Sequence, residues 1–330
     1  MMGQQKPLWL AMMFTVLLAS WSCSPRTSAR PNPSASVTPF LGRWDLTVKT
    51  PARAYPSWID VTAAGAQPQV LVVGFAGAAT HAVKASVANG TIEFSMPTHV
   101  DYYGPGQFTG KLANRRLEGT ASGPNGATWP WTGRRAPALS GQTVSKWGKP
   151  IRLFNGRNFA GWKFADPSQA KVWRVEHHLL VKNGSGSELI STAQFSNFKL
   201  HVEFNAGPDS NSGVYLRGRY EVQIETNSGS APADQQEGAI YGFLTPHPAQ
   251  PRRANVWQTY DITLVGRTVT VVQNGTTIID HQQIPGITGG ALNSNEGTPG
   301  PIYLQGSEAG RVEFRNIVIT PALLSTQTLH

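Results

Sequence analysis

The sequence predicts an all-β protein, with an N-terminal antiparallel barrel followed by a C-terminal jelly-roll β-sandwich. Glycine and proline are abundant (34 and 24 residues) while only 14% of the chain is charged, a turn-rich balance that disfavours long helices and coiled coils. Strand-length apolar runs recur between Gly, Asn and Pro turns, and neither a long amphipathic helical period nor βαβ spacing interrupts them. Hydrophobic residues make up 40% of the chain, with ten Trp and thirteen Phe, enough apolar surface to offset the entropy of ordering it. At roughly 150 residues per domain, a chain of 330 residues makes about two domains once a leader is removed.

Residues 1–22 read as an export signal: Lys6 gives a basic start and Leu8 to Ala19 a twelve-residue apolar core, too short to span a bilayer comfortably. Cys23, the only cysteine, excludes a disulfide framework, a thiolate metal cluster and a cysteine nucleophile in the folded part. Its place after Ser22 resembles the acylated cysteine of bacterial lipoproteins, with Ser20 (where Leu is usual) and bulky Trp21 as departures. The expectation is a periplasmic or outer-membrane lipoprotein, with soluble secretion as the alternative. Residues 23–38, rich in Pro, Ser, Arg and Asn, form a flexible tether.

Residues 39–135 hold runs at Gly42–Val48, Ser57–Thr62, Val70–Phe75, Thr91–Met96, Gly106–Leu112, Arg116–Thr120 and Ala127–Thr132, the pattern of a closed or nearly closed antiparallel sheet. The opening Gly42-x-Trp44, with Leu46 and Val48 alternating after it, resembles the first strand of lipocalin-like barrels, and Trp44 is expected to plug one end rather than bind a ligand. Residues 136–150 are a polar linker. In residues 151–322, ten short runs predict the sandwich: Trp173–Val175, Leu179–Val181, Glu188–Ser191, Phe198–Asn205, Gly213–Leu216, Tyr220–Glu225, Thr259–Val265, Thr268–Gln273, Ile302–Gln305 and Val312–Thr320. Gly266-Arg267 and Asn274-Gly275 sit where hairpin turns belong. Residues 323–330 are a tail.

The formal charge of +9 is not a nucleic-acid signature. Residues 150–322 hold 14 basic and 14 acidic residues, the excess lying in the barrel, leader and linker, and no dense basic run or aromatic stacking ladder accompanies the pairs Arg115-Arg116, Arg134-Arg135 and Arg252-Arg253. Neither a Walker loop nor a dinucleotide fingerprint is present.

A set of ordered motifs spans residues 151–320. They are Leu153-Phe154-Asn155-Gly156 with Phe159-Ala160-Gly161-Trp162, Trp173-Arg174-Val175-Glu176, Phe198 to Phe204, Asn211-Ser212-Gly213-Val214-Tyr215-Leu216-Arg217-Gly218, Tyr220-Glu221-Val222-Gln223-Ile224, Gly238-Ala239-Ile240-Tyr241-Gly242, Trp257 to Ile262, and Phe314-Arg315-Asn316-Ile317. Together they resemble the 3-keto-disaccharide hydrolase family. The resemblance implies a concanavalin-like jelly roll acting on glycosides already oxidised to a ketone at C3. His177-His178 stands where that family usually has Asp-Gly, a turn that makes the two histidines candidates for surface binding.

Independently of family, alternation along Tyr220–Glu225 sends Val222 and Ile224 to one face and Glu221, Gln223 and Glu225 to the other. Tyr215 and Arg217 share a face of the preceding strand, and a three-residue loop at Gly218 to Tyr220 would set Arg217 opposite Glu221 and Tyr215 opposite Gln223. Along Phe198–Asn205, Leu200, Val202 and Phe204 face the core while His201 and Glu203 face away. In a 3-keto sugar the ketone acidifies the C2 hydrogen, so a base forms an enolate, the C1 oxygen leaves, and water adds afterwards. Glu221 is the expected base, Arg217 or a divalent metal the enolate partner, and Gln223 and Asn211 the hydroxyl readers. Tyr215, Glu225, Tyr241, His247 and Gln305 complete the expected sugar site, with Glu203, His201 or His247 as further catalytic or metal-ligating groups. Two other readings stay open: a non-catalytic carbohydrate-binding lipoprotein, and a glycosidase using Glu203 and Glu221 as paired carboxylates on an unoxidised sugar.

Overall fold

The structure is a computed structural model, described for residues 36–65, 67–97, 106–123, 126–226 and 231–323. Cys23, the leader and nearly all of the tether lie outside the described residues. Nine strands form the first sheet: β1 (Gly42–Lys49), β2 (Ala54–Ala64), β3 (Gln67–Val73), β4 (Thr80–His81), β5 (Lys84–Ala88), β6 (Thr91–Ser95), β7 (Gln107–Ala113), β8 (Arg116–Ser122) and β9 (Thr128–Arg135). Their order, β4-β3-β2-β1-β9-β8-β7-β6-β5, pairs sequence neighbours throughout and joins first strand to last. The edges β4 and β5 are separated by Ala82 and Val83, whose N–H groups donate to Val70 O (2.8 Å) and Ser95 O (2.9 Å), so the meander curls back on itself.

Alternation fills this sheet's interior. Trp44, Leu46 and Val48 of β1 are fully buried with Trp131, Leu117, Phe94 and Phe108, and the two phenylalanine rings stack at 4.6 Å. Gly110 faces Trp131 so closely that a Cβ there would lie 2.4 Å from the indole. The interior is thus packed with aromatic side chains, Trp44 among them. The short strands β4 and β5 were not anticipated, because Thr80–His81 and Lys84–Ala88 carry no apolar alternation strong enough to read.

The remaining strands are β10 (Ile151–Arg152), β11 (Trp162–Phe164), β12 (Trp173–Glu176), β13 (Leu179–Asn183), β14 (Leu189–Ser191), β15 (Phe198–Ala206), β16 (Asn211–Leu216), β17 (Tyr220–Glu225), β18 (Gln258–Val265), β19 (Thr268–Gln273), β20 (Thr276–Gln283), β21 (Tyr303–Leu304) and β22 (Arg311–Pro321). They build two sheets of a jelly roll: β12-β13-β22-β15-β18-β19-β20, with β10 on β22, and β11-β14-β21-β16-β17. Leu200, Val202 and Phe204 meet Val214, Val222, Ile224 and Leu304 in the core between them. Two-residue turns at His177-His178 and Asn274-Gly275, all at positive φ, close hairpins β12–β13 and β19–β20. The histidine pair is a turn of the structure, with His178 Nδ1 3.0 Å from Gly156 O.

The two lobes share apolar and polar contacts. Trp58 and Val73 of the barrel belong to the jelly-roll core, Trp58 meeting Phe243 edge-on at 5.6 Å. Across β1, Thr47 Oγ1 lies 3.2 Å from Ser294 Oγ, and this packing buries Asp45 beside Glu296. Both Asp45 oxygens and one Glu296 oxygen lack hydrogen-bond donors, and a proton shared between the two carboxyls satisfies one oxygen of each. Burial first, then the Glu296 charge, hold the Asp45 carboxyl up to about 8, and burial holds Glu237 up to about 7. The folded state therefore keeps protons that unfolded carboxyls release near pH 4, and stability falls as pH rises from there towards 8. The melting temperature is expected to drop by about 5–10 °C between pH 5 and pH 8.5, and Asp45→Asn to flatten that slope. An unchanged slope in the variant would remove Asp45 as its source.

Candidate functional site

Strand β17 is buried on both faces. Val222 and Ile224 enter the core, while Glu221 and Gln223 line a cavity of about 120 Å³ on the outer face of the smaller sheet. Tyr215 of β16 lies directly opposite Glu221, and its hydroxyl is 2.8 Å from Glu221 Oε2 and 2.8 Å from Gly289 O. Gly213, the neighbour opposite Gln223, leaves room for the Glu221 carboxyl: a Cβ there would come within 2.1 Å of Glu221 Oε1. Tyr215 stacks on Tyr303 of β21 with ring centroids 4.1 Å apart. Beyond Tyr303 lies Glu188, which precedes β14 and whose Oε2 accepts from the backbone N–H groups of Gly306 and Ser307. Two carboxyls thus bracket a pair of stacked tyrosines.

Their environments differ. Glu221 is entirely buried, and desolvation pushes its carboxyl well above the usual range. The Tyr215 hydroxyl has one proton for two acceptors, Glu221 Oε2 and Gly289 O; with Tyr215 donating to Oε2, the proton that burial favours on the carboxyl sits on the unpartnered Oε1. Glu188 is also raised by burial, but the two backbone donors favour its ionised form. Lys182 of β13, fully buried, donates to Asn211 O (2.8 Å) and Ala309 O (3.0 Å), bracing the turn that carries Ser307 and Glu308. Desolvation lowers its ammonium to about 8, while Glu308 and Glu188 act to raise it. Three cavity oxygens have no hydrogen-bond partner: Glu221 Oε1, Gln223 Oε1 and Gln305 Oε1. Buried polar atoms left in this state mark a place for a ligand with hydroxyl groups.

The family model described as "3-keto-alpha-glucoside-1,2-lyase-like domain" matches residues 149–320, just over half of the chain. The chain belongs to this family. Among solved structures, a candidate glycosyl hydrolase from Parabacteroides distasonis is 28% identical over 52% of this chain and 82% of its own, with a TM-score of 0.43. A second from the same organism is 19% identical over 53% and 94%, with a TM-score of 0.45. A β-glucanase from Bacillus licheniformis is 13% identical over 55% and 100%, with a TM-score of 0.36. No curated protein matches the chain.

This 3-keto-glucoside lyase-like domain, a glycoside-acting one, gathers six of the residues expected from sequence around the cavity: Glu221, Gln223, Asn211, Tyr215, Tyr241 and Gln305. Glu225 stands one step behind, accepting from Asn211 Nδ2 at 2.9 Å. Five expectations are corrected. Arg217 is not opposite Glu221; it sits in the β16–β17 turn at φ +53°, and its guanidinium donates to Gly266 O (2.6 Å) and Tyr220 OH (3.1 Å) away from the cavity. The hairpin loop is Arg217 to Arg219, so the register is shifted by two from the one expected. Glu203 lies on the outer face of the larger sheet, bound by Arg315 Nε at 2.6 Å and Asn316 Nδ2 at 2.6 Å, so it cannot pair with Glu221 across a sugar. His247 is exposed and outside the cavity lining, and His201 is held by Asp261 at 2.7 Å on the same face as Glu203. Among the described residues no group of three or more His, Cys, Asp and Glu is placed to hold a metal ion.

Glu188 and Lys182 were not foreseen. Glu188 stands at the start of an apolar run, and its partners come from a turn more than 115 residues later. Lys182 shares a strand face with buried Leu180, but a charged side chain there reads from sequence as solvated.

Proposed function

We propose that this protein is exported and cleaves 3-keto-glucosides by C2 proton abstraction, elimination at C1 and hydration. The observation carrying the reading is the Glu188–Tyr303–Tyr215–Glu221 array in a buried cavity of a chain that belongs to the 3-keto-glucoside lyase-like family. Glu188, the carboxyl with donors that favour its anion, takes the C2 proton. Glu221, neutral at rest, donates a hydrogen bond to the C3 oxygen as enolate charge develops there, a role in which a preorganised donor in a dry site is most effective. The C1–O bond breaks as C1=C2 forms, and Glu188 hands its proton to the departing oxygen. Water then adds across the double bond: oxygen to C1, hydrogen to C2. Burial, which disqualifies Glu221 as the base expected from sequence, is what suits it to this donor role. Gln223 and Gln305 read sugar hydroxyls through their unpartnered oxygens.

The test is incubation of the purified protein with a 3-keto disaccharide and with its unoxidised parent. Cleavage of the keto sugar alone is expected. Cleavage of the parent alone would support a two-carboxylate glycosidase, and saturable binding of both without turnover would support a carbohydrate-binding module.

A further inference from the structure

One wall of the cavity does not come from the jelly roll. Ala76 and Gly77, in the barrel's β3–β4 loop at residues 74–79, line it together with Glu221 and Gln223. The loop is fixed on both sides. Phe75 stacks on Tyr55 at 4.0 Å within the barrel, whereas Val73 and Ala79 pack against the jelly-roll core. Gly290 N donates to Phe75 O at 3.1 Å. A Cβ at Gly289 would lie 2.3 Å from Gly77 O and one at Gly242 2.7 Å from Ala78, so glycines on the jelly-roll side permit the close seating. The resulting space, about 120 Å³, is well below the roughly 300–1,000 Å³ of pockets that enclose larger ligands.

We propose that the barrel loop at residues 74–79 is the size filter of this site: it admits one sugar ring to the carboxyl pair and leaves the second unit of a glycoside at the mouth beside Ala76. The assignment of ligand class rests on the function proposed above; the wall itself does not. Ala76 is exposed at the rim, so a larger side chain there narrows the entrance without disturbing the core.

Two readouts test it. With methyl 3-keto-α-glucoside and a 3-keto disaccharide as substrates, Ala76→Trp is expected to raise KM for the disaccharide at least about tenfold more than it raises KM for the methyl glycoside. Separately, Gln305→Cys gives a thiol on the cavity lining, and its alkylation by a small and a bulky reagent is followed on its own peptide by mass spectrometry. Adding Ala76→Trp should slow the bulky reagent at least about tenfold relative to the small one. An equal effect on both reagents overturns the proposal, as does an unchanged ratio of KM values in a turning-over enzyme. If the native protein cleaves neither sugar while the reagent ratio shifts as expected, the filter stands and the keto-sugar chemistry falls.

Discussion

Glu188→Gln is expected to lower turnover of a 3-keto-glucoside by about 10²–10⁴-fold, the usual cost of losing a general base, with little change in melting temperature. The amide oxygen can still accept from the Gly306 and Ser307 N–H groups, so the local fold keeps its hydrogen bonds while the proton acceptor is gone. Glu221→Gln should behave differently, because an amide still donates to a developing enolate. Activity of the native protein requires Glu188 ionised and Glu221 neutral, giving an acid limb from the first and an alkaline limb from the second. In Glu221→Gln the alkaline limb should vanish at a modest loss of rate, whereas Glu221→Leu should lose about 10²–10³-fold with the donor. A pH–rate profile of each variant separates these roles; native turnover in folded Glu188→Gln would move the base to another cavity group.

The second large effect concerns the strand that carries the site. Val222→Asp should abolish soluble expression or lower stability by several kcal/mol, on the order of the cost of a buried, unpaired carboxylate. Val222 is fully buried between the sheets, and its neighbours there, Val214, Tyr260 and Ile240, are core side chains, of which only Tyr260 carries a polar group, already donating to Gln223 O at 2.7 Å. Val222→Ala, which removes bulk without charge, should fold with a smaller loss. Equal soluble yield and melting temperature for Val222→Asp and the native protein would mean that β17 faces the other way.

Period-two alternation made much of the fold readable, because each sheet has one strongly apolar face. It placed Val222 and Ile224 inside, and Glu221 and Gln223 on the opposite face, without any knowledge of the partners that bury that face. Hairpin register was less accessible. Arg217 adopts a positive φ that ordinary side chains avoid, so the turn begins one residue before the glycine that would have marked it. Glu188 and the barrel loop at residues 74–79 were hidden for a different reason: they reach the cavity only through long-range packing of the β21–β22 turn and of one lobe against the other. Glu203 was misassigned because a polar strand face looks the same in sequence whether it lines a cavity or, as with Arg315 and Asn316, pairs at the surface.

Deuterium incorporation at C2 reads directly whether the substrate loses its C2 proton at this cavity. Cleavage of a 3-keto disaccharide in D2O, followed by immediate mass and NMR analysis against an enzyme-free keto-sugar control, should give a 3-keto-glucose carrying one enzyme-dependent deuterium at C2, with Glu188→Gln abolishing it. Cleavage that proceeds at the native rate with the C2 hydrogen fully retained would rule out C2 proton abstraction and assign the protein to direct displacement at C1.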